Sequence, residues 1–279
     1  MIKACKIVFT IVYLLCNIAA SAQTIYTRND SIIIENILKN HTQSNGVIDI
    51  ASSFLGHPYV ASTLDSCAAE RLIINTRQFD CTTFIETITA LEITAKGSER
   101  NFEQFCNNLT RLRYRNGELN GYASRLHYIS QWICDSSKQG VIKEITTESH
   151  TATQQLYLNF MSKHPGSYLQ LKSDSTLIAA IEEFEKPFRE IEVKYIPKSA
   201  LNSSRKTLSI EDGDILALVT AIKGLDVSHV GFAKWIDGKL HLVHASSSKG
   251  TIIIDEQTLF DYMKSKKNNL GIRVFRIQK

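Results

Sequence analysis

The chain has 279 residues, 43% hydrophobic and 22% charged, with 32 Lys and Arg against 28 Asp and Glu and a net charge of +4. This is ordinary globular composition, enough for one domain with an elaboration and a core that needs no staples, which excludes a disordered or fibrous chain. The small positive excess is spread along the sequence and implies neither a nucleic acid nor a strongly acidic membrane surface as partner.

The first residues read as an export signal. Lys3 and Lys6 form a positive n-region, Ile7 to Ala19 is almost wholly apolar, and Ala20-Ser21-Ala22 is a small-residue cleavage site, so the mature chain starts at Gln23. A membrane anchor is the competing reading, but the apolar run is short for a span. A lipoprotein is another, through Cys16, though Leu15 stands where a small residue is wanted. No other segment approaches transmembrane length, so the expectation is an exported, periplasmic or secreted chain without membrane insertion.

Cys67, Cys81, Cys106 and Cys134 remain after cleavage. In an oxidising compartment they could form two disulfides. If Cys81 is kept free for chemistry the other three cannot all pair, and Cys106 with Cys134 is then one option. No CxxC or Cys/His cluster has metal spacing, so no metal or other cofactor is expected.

Asp30 to His41, opened by an N-cap candidate, and Val47 to Leu55 carry helical apolar periods. Arg71 to Asn75 reads as a short extended piece. Thr82 to Ala95, with Phe84, Ile85, Ile88, Leu91 and Ile93, reads as a largely buried helix with Cys81 at its start and Asp80 as cap. Asn101 to Leu112 and Tyr122 to Trp132 look helical, and residues 141–192 look like a polar, helix-prone insertion ending in an amphipathic helix over Ser173 to Glu190. Beyond Pro197 the chain turns to short branched strands: Asp214 to Thr220, His229 to Trp235, Lys239 to Ala245, Thr251 to Asp255 and Ile272 to Ile277. Helices followed by a meander of strands make an α+β fold. The expectation is a single domain over 23–279, with the strand-rich part from 193.

A cysteine at a helix start is where backbone N–H groups and the helix dipole favour an anion, which lowers a thiol pKa. This favours Cys81 as nucleophile over Cys106 and Cys134, which fall inside helical patterns. A thiol that attacks an amide also needs a base. Asp237-Gly238 fits a two-residue type I′ turn, which pairs Ile236 with Lys239. In that register Gly231 faces His244, His229 faces Ser246, and the two histidines are diagonal neighbours on one sheet face. His241 pairs with Lys234 on the other face. Gly231 and Ala233 would keep the histidine face open. Either histidine alone would be an ordinary sheet residue; with Cys81 they suggest nucleophile, base and orienting group.

Pro58-Tyr59, Asp80-Cys81, His229-Val230-Gly231 and His244-Ala245-Ser246, with Gly213-Asp214 before the first long strand, resemble the NlpC-type, papain-like cysteine amidases. Thr82-Thr83 replaces the Ser-Gly usual after that cysteine, and the second histidine lies farther downstream than usual. With Asp80-Cys-Thr-Thr-Phe-Ile-Glu86, Ser124-Arg-Leu-His-Tyr128 and Gly224-Leu-Asp-Val-Ser-His229, these features resemble one branch, the N-acetylmuramoyl-L-alanine amidase-like family of exported bacterial proteins.

The resemblance implies cleavage of the amide between N-acetylmuramic acid, or its anhydro form, and the L-alanine of the peptidoglycan stem. Catalysis would rest on Cys81, His229 and His244, and muropeptides would be the partners of a monomer. The slight basic bias suits an anionic wall substrate. Tyr59 is a candidate for the oxyanion hole, Arg125 and Tyr128 for substrate contact with a stem carboxylate on Arg125, and Asp226 for substrate contact or turn shaping. Three alternatives stay open: a D-glutamyl-diamino acid endopeptidase, a non-catalytic wall-binding module, and acyl transfer to a lipid.

Overall fold

A computed structural model describes residues 24–41, 46–67, 69–146 and 151–278. The expected signal peptide lies outside them. Helices α1 (Arg28–Asn40), α2 (Val47–Ser52), α3 (Cys81–Lys96), α4 (Phe102–Arg113) and α5 (Ile129–Lys138) fill the first half, where strands β1 (Thr24–Ile25) and β2 (Leu72–Ile73) pair in parallel. The second half holds β3 (Ile142–Glu144), β4 (Ala152–Tyr157), β5 (Arg189–Pro197), β6 (Ile215–Thr220), β7 (Val227–Ile236), β8 (Lys239–Ser246), β9 (Thr251–Thr258) and β10 (Asn269–Ile277). Between them run the short helices α6 (Phe160–Lys163), α7 (Leu169–Ser173), α8 (Ser175–Glu185), α9 (Arg205–Leu208) and α10 (Leu259–Lys264). Among the described residues no helix is long and apolar enough to cross a membrane.

Strands β3 to β10 form one antiparallel sheet in the order β4-β5-β10-β6-β7-β8-β9, with β3 also on β10. The expected mixed architecture is therefore present as helices packed on a large antiparallel sheet. Strand β6 shows why its sequence is apolar without alternation. Ile215 and Ala217 face the core shared with α1 to α5, whereas Leu216 and Leu218 face a second core closed by Leu208, Leu259 and Met263. A strand covered on both faces has no polar side to present.

Helix α3 is the hub of the first core. Twelve of its sixteen residues are buried, including Phe84, Ile85, Ile88 and Leu91. A helix apolar around most of its circumference belongs inside a protein, not on its surface. Its two buried acids are paired: Glu86 accepts from the buried Arg113 Nε at 2.7 Å, and Glu92 meets His41 and Lys96.

Several elements differ from the sequence expectation. Helix α1 is capped by Thr27, with Asp30 as the reciprocal partner of the capping box rather than the cap. The stretch 141–192 is not a purely helical insertion, since β3, β4 and the start of β5 fall within it. Arg189 to Pro197 alternates partly buried and exposed residues, and its pairing with β4 and β10 outweighs the helical preference of its charged residues. The expected amphipathic helix is confined to α8. Arg125 to Tyr128 do not share a helix: Arg125 is extended and bridges Tyr114, and Tyr128 is the N-cap position of α5. Helix α10 was not anticipated. Cys67, Cys81, Cys106 and Cys134 are all unpaired, so Cys106 and Cys134 form no bridge.

Candidate active site

Asp80 ends the extended approach to α3 and caps it. Its Oδ1 accepts from the Thr83 N–H at 2.8 Å, and its own N–H donates to Thr83 Oγ1 at 3.0 Å. Thr83 thus closes a capping box, which fixes the first turn and the direction in which Cys81 leaves it. Edge-to-face contacts from Phe54 to Phe79, Phe79 to Phe84 and Phe84 to Phe232 tie this helix start to the middle of β7. The Cys81 sulfur consequently lies against the backbone of Val230, the residue after His229.

The hairpin of β7 and β8 has the register the Asp-Gly turn predicts. Ile236 pairs with Lys239 and Lys234 with His241, while Asp237 (φ 49°) and Gly238 (φ 74°) take the two positive φ values of a type I′ turn. His229 Nε2 lies 2.6 Å from His244 Nδ1, with the rings at 85°. Gly231 serves a different purpose from the opening expected of it. A Cβ there would stand 2.7 Å from the Val243 carbonyl oxygen and 2.9 Å from His244 Cβ, so the glycine permits close approach of the strands that carry the two histidines. Ala233 is buried in the second core and leaves no opening either.

Asp255 was missed by sequence reasoning. Its Oδ2 lies 3.4 Å from His244 Nε2, and the carboxyl is nearly buried. The register of β9 slips here: Val243 pairs with Ile254 but His241 with Thr258, so three residues of β9 oppose Leu242 alone. Bulges of this kind re-aim side chains. The four-residue Ser-Ser-Lys-Gly connection from Ser246 to Thr251 was the available signal, because it sets His244 opposite Ile253 and Asp255 diagonal to it. Tyr262 was missed with its short helix; its ring meets His244 edge-on at 5.7 Å, and Lys266 Nζ stands 5.3 Å from its centroid.

The electrostatics correct the expected thiolate. Burial, then the neighbouring Asp80 charge, push the Cys81 thiol up to about 12, outweighing the Val230 and Cys81 N–H groups and the Thr82 hydroxyl that favour the anion. Burial, then His244 and Lys266, push His229 down to about 3. Desolvation penalises both charged forms more than the helix start relieves the thiolate.

Tyr59 lies next to the start of α3. Its N–H donates to the Gly250 carbonyl at 2.9 Å and its backbone bridges Phe79, next to Asp80. Burial, then Cys81 and Asp80, raise the pKa of its phenol, which puts it in the electrostatic neighbourhood of the sulfur.

A cleft of about 560 Å³ is lined by Asp80, Thr82, Thr83 and Glu86 at the start of α3 and by Arg125, His127 and Tyr168, whereas Cys81, His229 and His244 do not line it. Arg125 faces it but is already engaged. It donates to Glu70 through Nε (2.9 Å) and Nη2 (2.7 Å), to Asp65 through Nη1 (2.9 Å) and to the Leu64 carbonyl. The trio carries net negative charge, so a stem carboxylate arriving here would meet no free cation. The structure does not bring Tyr128 and Asp226 to the cleft. The Tyr128 hydroxyl donates to Glu185 and accepts from the Met161 N–H, whereas Asp226 accepts from the Ser130 and Val227 N–H groups and shapes the entry to β7.

The free Cys81 at a capped helix start and the touching His229 and His244 on a neighbouring hairpin belong to an α+β protein of helices packed on a large antiparallel sheet. The chain belongs to the N-acetylmuramoyl-L-alanine amidase-like family, whose profile matches residues 49–272. A crystal structure of an N-acetylmuramoyl-L-alanine amidase from Bacteroides uniformis is 36% identical, superposes with a TM-score of 0.80 and covers 84% of this chain and 99% of its own. A Bacteroides fragilis protein given a provisional xylanase name is 40% identical, with a TM-score of 0.78 and 82% and 99% coverage. A Legionella pneumophila protein at 22% identity shares the fold, with a TM-score of 0.70 over 93% of this chain and 97% of its own. No curated protein matches the chain.

Proposed function

We propose that this protein is an exported cysteine amidase with an NlpC-type, papain-like core, hydrolysing the amide between N-acetylmuramic acid, or its anhydro form, and the L-alanine of the stem peptide. The observation that carries the reading is the 2.6 Å contact of His229 with His244 beside the free Cys81. Family membership supports the choice of bond.

In this reading Cys81 attacks the amide carbonyl while His229 takes its proton, so thiolate and imidazolium exist only as the sulfur–carbon bond forms. The Cys81 N–H at the start of α3 stabilises the oxyanion, with the Tyr59 hydroxyl as the second donor. His229 returns the proton to the L-alanine nitrogen, which leaves as the amine, and water then hydrolyses the thioester to free the lactyl carboxylate.

A glycosidase would need two carboxyl groups flanking the bond. The acids near Cys81 are otherwise occupied, Asp80 in the helix cap and Glu86 with Arg113.

The test is mass spectrometry of defined muropeptides, anhydro and reducing, incubated with the mature protein and with Cys81→Ala. A free disaccharide and an intact stem beginning with L-alanine, absent with the variant, are the expected products. Release of sugar still carrying L-alanyl-D-glutamate would replace the amidase by the endopeptidase. No product at all would overturn the wall-hydrolase reading.

A further inference from the structure

We infer that Asp255 is a positioning residue that sets the tautomers of both histidines and thereby makes His229 Nδ1 the base. The inference rests on the cysteine-amidase reading above for its chemistry, and on Asp255, His244 and His229 for its geometry.

Asp255 offers only acceptors to its neighbours. One carboxylate oxygen, Oδ1, accepts from the Gln257 N–H at 2.9 Å, which fixes the rotation of the group and leaves Oδ2 facing His244 Nε2 at 3.4 Å. A neutral imidazole carries one N–H and one bare nitrogen. Facing an acceptor, His244 keeps its proton on Nε2, so its Nδ1 is bare. That bare nitrogen lies 2.6 Å from His229 Nε2, which must therefore carry the proton of that ring. The remaining atom, His229 Nδ1, is left with a free lone pair.

The thiol proton moves from Cys81 to His229 Nδ1 and later to the leaving amine. No proton reaches Asp255, which acts only through His244. The Asp255 backbone adds a second anchor: its carbonyl accepts from His241 Nδ1 at 2.9 Å, holding the bulge that aims the carboxylate. The Tyr262 ring on His244 limits the remaining freedom of that imidazole.

The arrangement makes an unusual ordering of variants. In Asp255→Asn the amide oxygen takes over the Gln257 N–H, so the amide NH2 faces His244 Nε2. A donor there moves the His244 proton to Nδ1, which then donates to His229 Nε2 and forces the His229 proton onto Nδ1. The base is blocked. Asp255→Ala removes the constraint without imposing the wrong tautomer.

Asp255→Ala is expected to lower kcat/KM roughly 10- to 100-fold, as loss of an outer-shell partner does. Asp255→Asn is expected to lower it about a thousandfold or more, as an inverted tautomer does. A purely structural role predicts the opposite order, since Asn is the isostere. Nitrogen-15 NMR of the unliganded wild type gives a second reading that needs no variant, with His229 and His244 both protonated on Nε2. Iodoacetamide alkylation of Cys81 at pH 7 gives a third without substrate, slower in Asp255→Asn than in Asp255→Ala.

His244 protonated on Nδ1 in the wild type, or Asp255→Asn as active as Asp255→Ala, overturns the inference while leaving muropeptide cleavage intact. If no muropeptide is cleaved but the tautomers and the alkylation order are as stated, the substrate reading falls and the role of Asp255 stands.

Discussion

Phe84 and Phe232 meet edge to face at 5.8 Å between ring centroids, three residues after Cys81 and three after His229. The contact joins the helix that carries Cys81 to the strand that carries His229, and both rings are fully buried. Truncating either to Ala should lower stability by about 3–5 kcal/mol. Because the rings touch, the double variant should lose less than the sum. Urea unfolding of the two single variants and the double variant measures this, and full additivity would show that the rings act independently.

Gly231→Ala should impair both folding and turnover. The new methyl would stand 2.7 Å from a backbone oxygen that cannot easily yield. The expected loss is about 1–3 kcal/mol with a fall in kcat, because the strand carrying His244 must shift. Gly238→Ala is the control: its Cβ meets nothing within 4 Å, but its φ of +74° costs a side chain about 1–2 kcal/mol. Stability should drop there with kcat unchanged. Equal kcat losses in both variants would remove the link between strand spacing and the histidine pair.

A thiol raised to about 12 predicts a steep alkylation profile. Iodoacetamide should modify Cys81 about tenfold faster per pH unit from pH 7 to 10, following the thiolate fraction. Asp80→Asn keeps the cap oxygen but removes the charge that opposes the thiolate, so its profile should lie at lower pH. A plateau already reached near pH 6 would instead indicate a resting thiolate–imidazolium pair.

Acid stability should follow the buried histidines. His229 and His127 are both pushed by burial from 6.5 down to about 3, and burial lowers His244 too. A base depressed on folding binds more protons in the unfolded chain between those values. Its stabilisation is therefore complete above about pH 6.5 and is lost as pH falls toward 3. Each such histidine adds up to about 1.4 kcal/mol per pH unit in that window. His127→Gln should flatten the slope of unfolding free energy between pH 6 and 4 by about one proton; an unchanged slope would show that this histidine is accessible to protons in the folded protein.

Breaking the Arg125 cluster should be felt in stability before substrate binding. Arg125→Ala leaves Glu70, whose side chain is 4% exposed, without its bidentate partner. A loss of about 3–5 kcal/mol is expected from the stranded carboxylate. Arg125→Ala combined with Glu70→Gln should recover part of it, measured by thermal and urea unfolding. A stable Arg125→Ala with a strongly raised KM would reassign the guanidinium to the substrate.

What the sequence alone determined is local. Periodicity marked α3, the Asp-Cys-Thr-Thr start announced a capped helix, and Asp237-Gly238 fixed a hairpin register that brought His229 to His244. Each of these is decided within a few residues by hydrogen bonding and backbone geometry. Where only tertiary structure decides, the local reading fell short. Arg189 to Pro197 is rich in charge yet becomes a strand because β4 and β10 supply its partners. Arg125 looked free until the chain brought Glu70 and Asp65, more than fifty residues away in sequence, onto its guanidinium. Asp255 depends on a bulge, and the thiol on how much water the packed fold removes from Cys81. Desolvation and long-range pairing are properties of the assembled protein, which is why candidate residues could be named from the sequence while the surroundings that govern their protonation could not.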